Sequence, residues 1–166
     1  MKFLVDRMLG KLAKKLRMLG YDAVYYRGEN TDELIRMARG DGRVILTRNP
    51  RVLPKRPEDR IIGLTEDDPR LQLKRLVQTG HISFDPENIL SRCLLCNSLI
   101  EGIPKEEAEG KVPDFIFYQQ KVFFRCPQCR RIYWEGSHPR RMQKGIEELL
   151  GVSETRSTKS QAPNSK

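Results

Sequence analysis

The sequence predicts an α/β fold, in which a parallel sheet flanked by helices is followed by a small module of short strands and a C-terminal helix. Two observations carry this prediction. Over residues 1–90, short apolar runs typical of strands alternate with segments whose apolar residues recur at helical spacing. After Arg92 the pattern changes to short strands placed around four cysteines. A chain of 166 residues suits one domain, or a small domain that carries a metal-stapled module.

Four short apolar segments of the first part are predicted strands, at residues 1–5, 21–26, 43–47 and 60–64. Helices are predicted between them. An apolar stripe at helical spacing runs from Leu9 to Leu19, and Gly20 follows as a stop signal. A second helix is predicted over 32–39 and a third over 69–80. Strands that alternate with helices pair in parallel through right-handed crossovers, which predicts one open sheet.

The second part of the chain reads as a zinc ribbon closed by a helix. Short strands are predicted at Leu99–Ile103, Phe115–Gln119, Val122–Phe124 and Ile132–Trp134. An amphipathic helix is predicted over Pro139–Leu150, and the tail at 151–166 is rich in Ser, Thr and Lys, which favours disorder. We therefore predict an α/β domain at 1–90, a ribbon with its closing helix at 91–150, and a disordered tail.

The four cysteines of the chain form two C-x-x-C hooks, Cys93-Leu-Leu-Cys96 and Cys126-Pro-Gln-Cys129. Two such hooks are typical of a metal site, because each tight turn aims two sulfurs at one ion. Four thiolates suit zinc best, with an iron–sulfur centre as the other soft-metal option. Two disulfides or four free thiols are the alternatives. The chain starts without a secretory signal, so we expect a cytoplasmic protein, in which disulfides are disfavoured. A closed four-cysteine site predicts a structural ion and not a catalytic one.

Charge points to a polyanionic partner. The chain has 31 Lys and Arg against 22 Asp and Glu, a net charge of +9, which favours nucleic acid. Arginines surround the hooks at positions 92, 125, 130 and 131. They either bind nucleic acid or offset the negative charge of a thiolate cluster, and the sequence leaves both readings open. No run of eighteen apolar residues occurs, so no membrane span is predicted.

Oxygen-bearing side chains follow the predicted strands, where a parallel sheet binds its ligands. These residues are Asp6, the pair Asp32 and Glu33, Asn49, and the pair Asp67 and Asp68. Each acid is also well placed to cap a helix or to lie in its first turn. Together they predict a site for Mg²⁺, which prefers oxygen ligands and takes one or two carboxylates. Such a metal with Lys and Arg nearby suits phosphodiester hydrolysis.

Several segments resemble known families. The first part of the chain resembles the PIN-like fold. The residues that carry this resemblance are Asp6, Lys11-Leu-Ala-Lys-Lys-Leu-Arg-Met-Leu-Gly-Tyr-Asp22, Thr31-Asp-Glu-Leu34 and Val44-Ile-Leu-Thr-Arg-Asn49. The hook segments Ser91-Arg-Cys-Leu-Leu-Cys-Asn97 and Phe124-Arg-Cys-Pro-Gln-Cys-Arg-Arg-Ile-Tyr-Trp-Glu-Gly-Ser-His138 are similar to the Mut-seven C-terminal RNase family. The resemblance covers about residues 1–150. It implies a PIN-like nuclease domain joined to a zinc ribbon.

The resemblance also implies site residues. Asp6 and Asp32 match the acids that hold Mg²⁺ or Mn²⁺, and Asn49 stands at the third position, where the family usually has an acid. No small-molecule cofactor is implied. The residues expected to bind RNA are Lys11, Lys14, Arg48, Arg51, Arg130, Arg131 and His138. The alternative for His138 is a local turn that packs the last helix onto the ribbon.

Three functions follow as hypotheses. The first is a Mg²⁺- or Mn²⁺-dependent endoribonuclease whose zinc ribbon helps to bind RNA. The second is a non-catalytic RNA-binding protein built on a degenerate nuclease domain, which Asn49 favours because the amide lacks a negative charge. The third is a protein-interaction unit, in which aromatic residues of the ribbon form an exposed patch instead of a small core: Tyr118, Phe123, Phe124, Tyr133 and Trp134.

Overall fold

The computed structural model describes residues 1–134 together with Lys144 and Glu148. Its strands are β1 Lys2–Val5, β2 Asp22–Tyr25, β3 Val44–Thr47, β4 Ile61–Gly63, β5 Glu101–Ile103, β6 Phe123–Arg125 and β7 Ile132–Trp134. Its α-helices are α1 Gly10–Met18, α2 Thr31–Gly40, α3 Pro69–Gln78 and α4 Asp114–Gln119. Short 3₁₀ turns lie at Arg7–Leu9, Pro86–Asn88 and Lys105–Ala108. The predicted helix at Pro139–Leu150 falls almost entirely outside the described residues, and the predicted tail falls wholly outside them.

The first four strands form one parallel sheet in the order β2-β1-β3-β4. Phe3 pairs with Ala23 on one side and with Val44 on the other, which places β1 inside the sheet. The chain passes from β1 to β2 on one side and then returns past β1 to β3, so the direction of strand addition reverses beside β1. A parallel α/β sheet places its ligand sites beyond such a reversal, at the carboxyl ends of the strands. The predicted parallel α/β fold is confirmed.

Two apolar clusters cover the two faces of this sheet, as expected for strands buried on both sides. Phe3 and Val5 point to the cluster that includes α1 and α3, while Leu4 points to the cluster that includes α2. The apolar stripe predicted for α1 is buried throughout, from Leu9 to Leu19. Helices on both faces leave the carboxyl ends of the strands as the accessible edge of the domain.

The ribbon is a separate antiparallel sheet in the order β5-β6-β7. The strand predicted at Phe115–Gln119 was wrong, because these residues lie in the helix α4. An apolar run this short does not distinguish a strand from a helix. Pro113 precedes the helix, and its carbonyl accepts the amide of Phe117 at 3.0 Å. The helical turn buries Phe117 against Phe123, with ring centroids 6.3 Å apart.

Hydrogen bonds join the first hook to the outer side of β2. The Ala23 amide donates to Asn97 Oδ1 at 2.9 Å, and the Ala23 carbonyl accepts Arg17 Nε at 2.8 Å. Arg17 Nη1 also donates to the carbonyl oxygens of Leu94 at 2.9 Å and Leu95 at 2.7 Å. One buried arginine therefore connects helix α1, strand β2 and the first hook.

Asp22 forms a second link across the same junction. Its carboxylate accepts Arg43 Nη1 at 2.6 Å and Asn97 Nδ2 at 2.7 Å. Burial works against the charged form, but the hydrogen bonds from Arg43 and Asn97 outweigh it and hold the pKa of Asp22 below its usual value. Among the described residues, no helix is long and apolar enough to cross a membrane.

Candidate functional site

The four cysteines converge in one cluster at the base of the ribbon. All four are free thiols, and their sulfur atoms lie within 4.8 Å of one another. Cys93 Sγ is 3.7 Å from Cys129 Sγ, and Cys126 Sγ is 3.9 Å from Cys96 Sγ. A zinc ion with bonds of about 2.3 Å requires sulfur atoms about 3.8 Å apart at the corners of its tetrahedron. The quartet is therefore positioned to hold a structural metal such as zinc, and no disulfide joins these four cysteines in the structure.

The two hooks have the same backbone design. In each hook the amide of the second cysteine donates to the first sulfur, at 3.3 Å for Cys96 and 3.5 Å for Cys129. The residue after each hook has a left-handed backbone, with φ of 70° at Asn97 and 62° at Arg130. Asparagine adopts this conformation readily, whereas arginine adopts it at a cost.

The surroundings of the buried Cys93 favour its thiolate form. Burial opposes its ionisation, but the Cys96 amide and the Tyr133 hydroxyl, 3.1 Å away, donate to its sulfur and lower the pKa of Cys93 to about 6. The thiolate is the form that binds a metal. These hydrogen bonds favour the thiolate of Cys93, and protonation of the ligand thiols opposes metal binding as the pH falls.

The arginines around the quartet divide into two pairs. Arg92 donates to the carbonyl oxygens of Gly20 and Asn97, at 3.1 Å and 2.8 Å. Arg125 pairs with Glu107 and Glu101 at 2.5 Å and 3.3 Å. These two arginines are engaged within the protein, which leaves the exposed Arg130 and Arg131 as the pair accessible to a ligand.

Asp6 is a buried carboxylate at the carboxyl end of β1, with 6% of its surface exposed. One carboxylate oxygen accepts the Arg7 amide at 2.7 Å, and the other accepts the Thr47 hydroxyl at 2.5 Å. Thr47 ends β3 and is itself 2% exposed. Each carboxylate oxygen retains a lone pair for a further ligand. Adjacent parallel strands thus hold one carboxylate in a fixed orientation at the edge of the sheet.

The two acids at the start of α2 have different surroundings. Asn30 caps this helix, and its side-chain oxygen accepts the Asp32 and Glu33 amides at 2.9 Å and 3.1 Å. Asp32 is exposed and pairs with Lys55 Nζ at 2.5 Å. Glu33 instead accepts the buried Tyr26 hydroxyl at 2.7 Å.

Tyr26 links the end of β2 to the start of α2, because its hydroxyl bonds to the Asn30 carbonyl and to Glu33. Burial first, then the hydrogen bond to Glu33 and the charge of Asp6, raise the pKa of the Tyr26 hydroxyl above its usual value. The hydroxyl therefore keeps its proton at neutral pH and donates it to Glu33. Glu33 was among the residues expected at the acidic edge, but Tyr26 was not. The available signal was a tyrosine at the end of an apolar strand.

The remaining predicted ligands are held locally. Asn49 Oδ1 accepts the Arg51 amide at 3.0 Å, and the Asn49 amide donates to Thr47 Oγ1 at 2.9 Å. Asp67 pairs with Arg48 at 2.5 Å, and Asp68 caps α3. Within residues 1–134, the cysteine quartet is the one group of three or more cysteine, histidine or acidic side chains close enough to share an ion.

Comparison with known families identifies the family to which the chain belongs. A family model described as Mut7-C RNAse domain matches residues 1–146. The chain belongs to the Mut7-C RNAse domain family. No curated protein and no solved structure matches the chain. Membership places the chain in a family of RNA-directed nuclease type.

The predicted residues can now be placed on this Mut7-C domain. Asp6 follows β1 and Asn49 follows β3 at the same edge of the sheet, and Thr47 connects them: its hydroxyl donates to the Asp6 carboxylate and accepts the Asn49 backbone amide. The Asn49 side-chain oxygen is turned to the Arg51 amide. Lys11 and Lys14 are exposed on α1. His138 lies outside the described residues.

Thr47 offers a test of how the Mut7-C domain orients Asp6. Replacing Thr47 with valine keeps the shape but removes the donor to Asp6 and the acceptor for the Asn49 amide. Losing such an outer partner typically weakens metal affinity or activity about 10- to 100-fold. We expect that loss in a Mg²⁺ titration of RNA cleavage. Thr65→Val, a change at an exposed threonine after β4, is the control. Equal metal affinity of the Thr47 variant and wild type would contradict the role.

Arg130 offers a test of the second hook. Arg130→Gly relieves the left-handed backbone and is expected to stabilise the metal-bound ribbon by about 1 kcal/mol. Arg131→Gly removes the same charge from a neighbouring exposed position and is expected to be neutral or destabilising. Thermal unfolding of the metal-loaded protein measures both. A lower melting temperature for Arg130→Gly than for Arg131→Gly would contradict the prediction.

Proposed function

We propose that this protein is a metal-dependent endoribonuclease, with a divalent cation held at the carboxyl edge of the parallel sheet. The single observation that carries the proposal is Asp6, a buried and oriented carboxylate in a Mut7-C RNAse domain. A buried carboxylate is costly unless something stabilises its charge. Its two hydrogen bonds offset part of that cost and leave acceptor capacity that a cation would use.

The protein's own residues would share the work as follows. Asp6 and Asp32 would bind the cation, with Asn49 contributing a neutral amide oxygen. Thr47 holds the Asp6 carboxylate in position, and Tyr26 holds the Glu33 carboxylate at the start of α2. When bound, Mg²⁺ or Mn²⁺ supplies a water of lowered pKa and stabilises the leaving oxygen of the phosphodiester. In the present structure Asp32 is paired with Lys55, so metal binding would exchange this ion pair for a metal bond.

We further propose that the ion of the quartet is zinc and that its role is structural. Four protein thiolates fill a tetrahedral shell and leave no open position for water. The sulfur spacing of 3.7 and 3.9 Å supports zinc. The exposed Arg130 and Arg131 would then be available to contact RNA phosphates.

The test is RNA cleavage with single-stranded and structured substrates, with and without Mg²⁺ or Mn²⁺. The divalent cation should be removed by gel filtration and not by a chelator, because a chelator would also remove a metal from the quartet. We expect cleavage that requires the added cation while the zinc content stays at one per chain. Cleavage that is unchanged without Mg²⁺ and Mn²⁺ would refute the proposal.

The second candidate function is RNA binding without cleavage. Asn49 favours it, because its side-chain oxygen is already engaged by the Arg51 amide and contributes no negative charge. This function predicts RNA binding that weakens steeply with salt and no cleavage under any metal condition. Cleavage that appears only in the Asn49→Asp variant would support it, and cleavage by wild type would exclude it.

A further inference from the structure

A groove runs along helix α1 and connects the two parts of the chain. Its volume is about 760 Å³. One end lies beside the carboxyl edge of the sheet, at Gly10, Tyr25 and Arg27, and the other end is the first hook, at Leu94 and Leu95. The nine residues of α1 make this path about 13 Å long. The groove thus leads from the neighbourhood of Asp6 to the first cysteine hook.

The walls of the groove are basic. They carry four cationic side chains and one carboxylate: Lys11, Lys14, Arg17, Arg27 and Asp67. Arg17 is buried and already donates to backbone carbonyls, which leaves Lys11, Lys14 and Arg27 for a ligand. The carboxylate of Asp67 is already paired with Arg48. Lys11 and Lys14 are three residues apart, so they are neighbours on one face of the helix, and both are exposed. Such a surface attracts a phosphate backbone.

The groove also has apolar and aromatic surface between these charges. Leu95 is 47% exposed although it is apolar. Tyr25 is half-buried: its hydroxyl donates to the Arg7 carbonyl at 2.8 Å, and its ring lies against Gly10. The exposed Arg27 guanidinium lies 5.8 Å from the ring centroid, so a base that stacks on Tyr25 takes the place of Arg27. Aromatic rings interleaved with cations are the combination that binds unpaired bases, since every base has a face to stack.

We propose that this groove binds a single-stranded segment of RNA between the acidic sheet edge and the first hook. Lys11 and Lys14 contact its phosphates, Tyr25 stacks on a base, and Leu95 contacts the segment where it reaches the hook. The proposal rests on the proposed function in that the substrate is RNA, and it adds the path and the strand state of that substrate.

The dimensions favour a single strand over a duplex. A volume of about 760 Å³ is in the range of pockets that enclose a small molecule, which corresponds to a few nucleotides. A double helix keeps its bases stacked on each other and is recognised across its surface, by shape and backbone contacts. It would leave Tyr25 and Leu95 without a partner.

The first test measures binding without cleavage. A fluorescent single-stranded RNA is titrated by anisotropy at several salt concentrations, with no divalent cation present and zinc retained. For Lys11→Gln with Lys14→Gln we expect the slope of log affinity against log salt to fall by about 1.4, since single strands give about 0.7 per phosphate. The matched control is Lys74→Gln with Arg75→Gln, an equal charge change at exposed positions of α3. Equal slopes for the two double variants would overturn the proposal.

The second test separates the base contact from the phosphate contacts. Tyr25→Leu is expected to weaken binding of single-stranded RNA about 5- to 150-fold, the range for loss of one stacked base. Tyr25→Phe keeps the ring and should bind nearly as wild type. An oligonucleotide that lacks bases should bind wild type and Tyr25→Leu equally. A Tyr25→Leu variant that binds single-stranded RNA as tightly as wild type would refute stacking in the groove.

The third test places the strand at the hook. Leu95→Glu should weaken binding, whereas Leu99→Glu, the same change at an exposed ribbon position outside the groove, should not. Duplex RNA that competes as well as single-stranded RNA would overturn the proposal. If these variants fail to alter binding while wild type cleaves RNA, the groove is refuted and the nuclease stands. If binding follows the groove but no metal gives cleavage, the groove stands and the nuclease fails.

Discussion

Replacing Asp6 with asparagine is expected to abolish RNA cleavage while the fold is retained. The change is nearly isosteric: the one oxygen of Asp6→Asn can still accept the Arg7 amide, and its NH2 group can donate to the Thr47 oxygen once that hydroxyl rotates. It removes the charge that would bind the divalent cation. Loss of an outer partner of a metal ligand costs about 10- to 100-fold, so loss of the ligand's charge should cost more. The measurement is the initial rate of cleavage at saturating Mg²⁺ and Mn²⁺.

Two comparisons make this result specific. Asp114→Asn, the same change at an exposed acid of α4, should cleave as wild type. Asn49→Asp should raise the affinity for Mg²⁺, because it adds a negative charge beside Thr47. All variants should keep the zinc content and circular dichroism of wild type. Cleavage by a clean preparation of Asp6→Asn at the wild-type rate would end the nuclease proposal.

Removing the metal of the quartet is expected to unfold the ribbon and to loosen β2. Binding of zinc to such sites contributes roughly 10–16 kcal/mol, most of it as folding free energy. When the first hook is lost, Ala23 loses the hydrogen bond from its amide to Asn97, and Arg17 loses its two carbonyl partners. The effect should therefore reach the edge of the sheet but not β3 at its centre.

Hydrogen exchange before and after chelation measures this prediction. Peptides covering 91–134 should exchange fully, those covering 20–26 should exchange faster, and those covering 43–47 should stay protected. Asn97→Ala in the metal-loaded protein is the matched control. It leaves the buried Ala23 amide without a partner, at a cost of about 1–3 kcal/mol, while the quartet is kept. Simultaneous loss of protection throughout the chain would show that the two parts form one cooperative unit.

The order of strands and helices could be predicted from the sequence because periodicity is strong in the first part. Leu9 to Leu19 repeats at helical spacing and is buried throughout. The four-cysteine cluster could be predicted from the cysteine spacing alone. The helix α4 could not, because Phe115 to Tyr118 is an apolar run without a period, and its conformation is decided by the packing of Phe117 on Phe123.

The candidate site was less predictable, because it depends on side-chain partners that are distant in sequence. Asp67 and Asp68 follow β4 at the same edge of the sheet as Asp6. However, Asp67 is paired with Arg48, and Asp68 caps α3. Thr47 reaches Asp6, 41 residues away in sequence, only because β3 pairs with β1. Such contacts need the sheet register, which the sequence does not state.

The hydrogen bonds at Ala23 have a consequence for solubility. Strand β2 is an outer strand of the sheet, and an open strand edge can pair with another chain and start aggregation. Here the side-chain oxygen of Asn97 accepts the outward-facing amide of Ala23, and Arg17 donates to the Ala23 carbonyl. The first cysteine hook therefore covers an otherwise unpaired strand edge of the parallel sheet. Protein produced in zinc-poor medium should aggregate through β2, even though its core is intact.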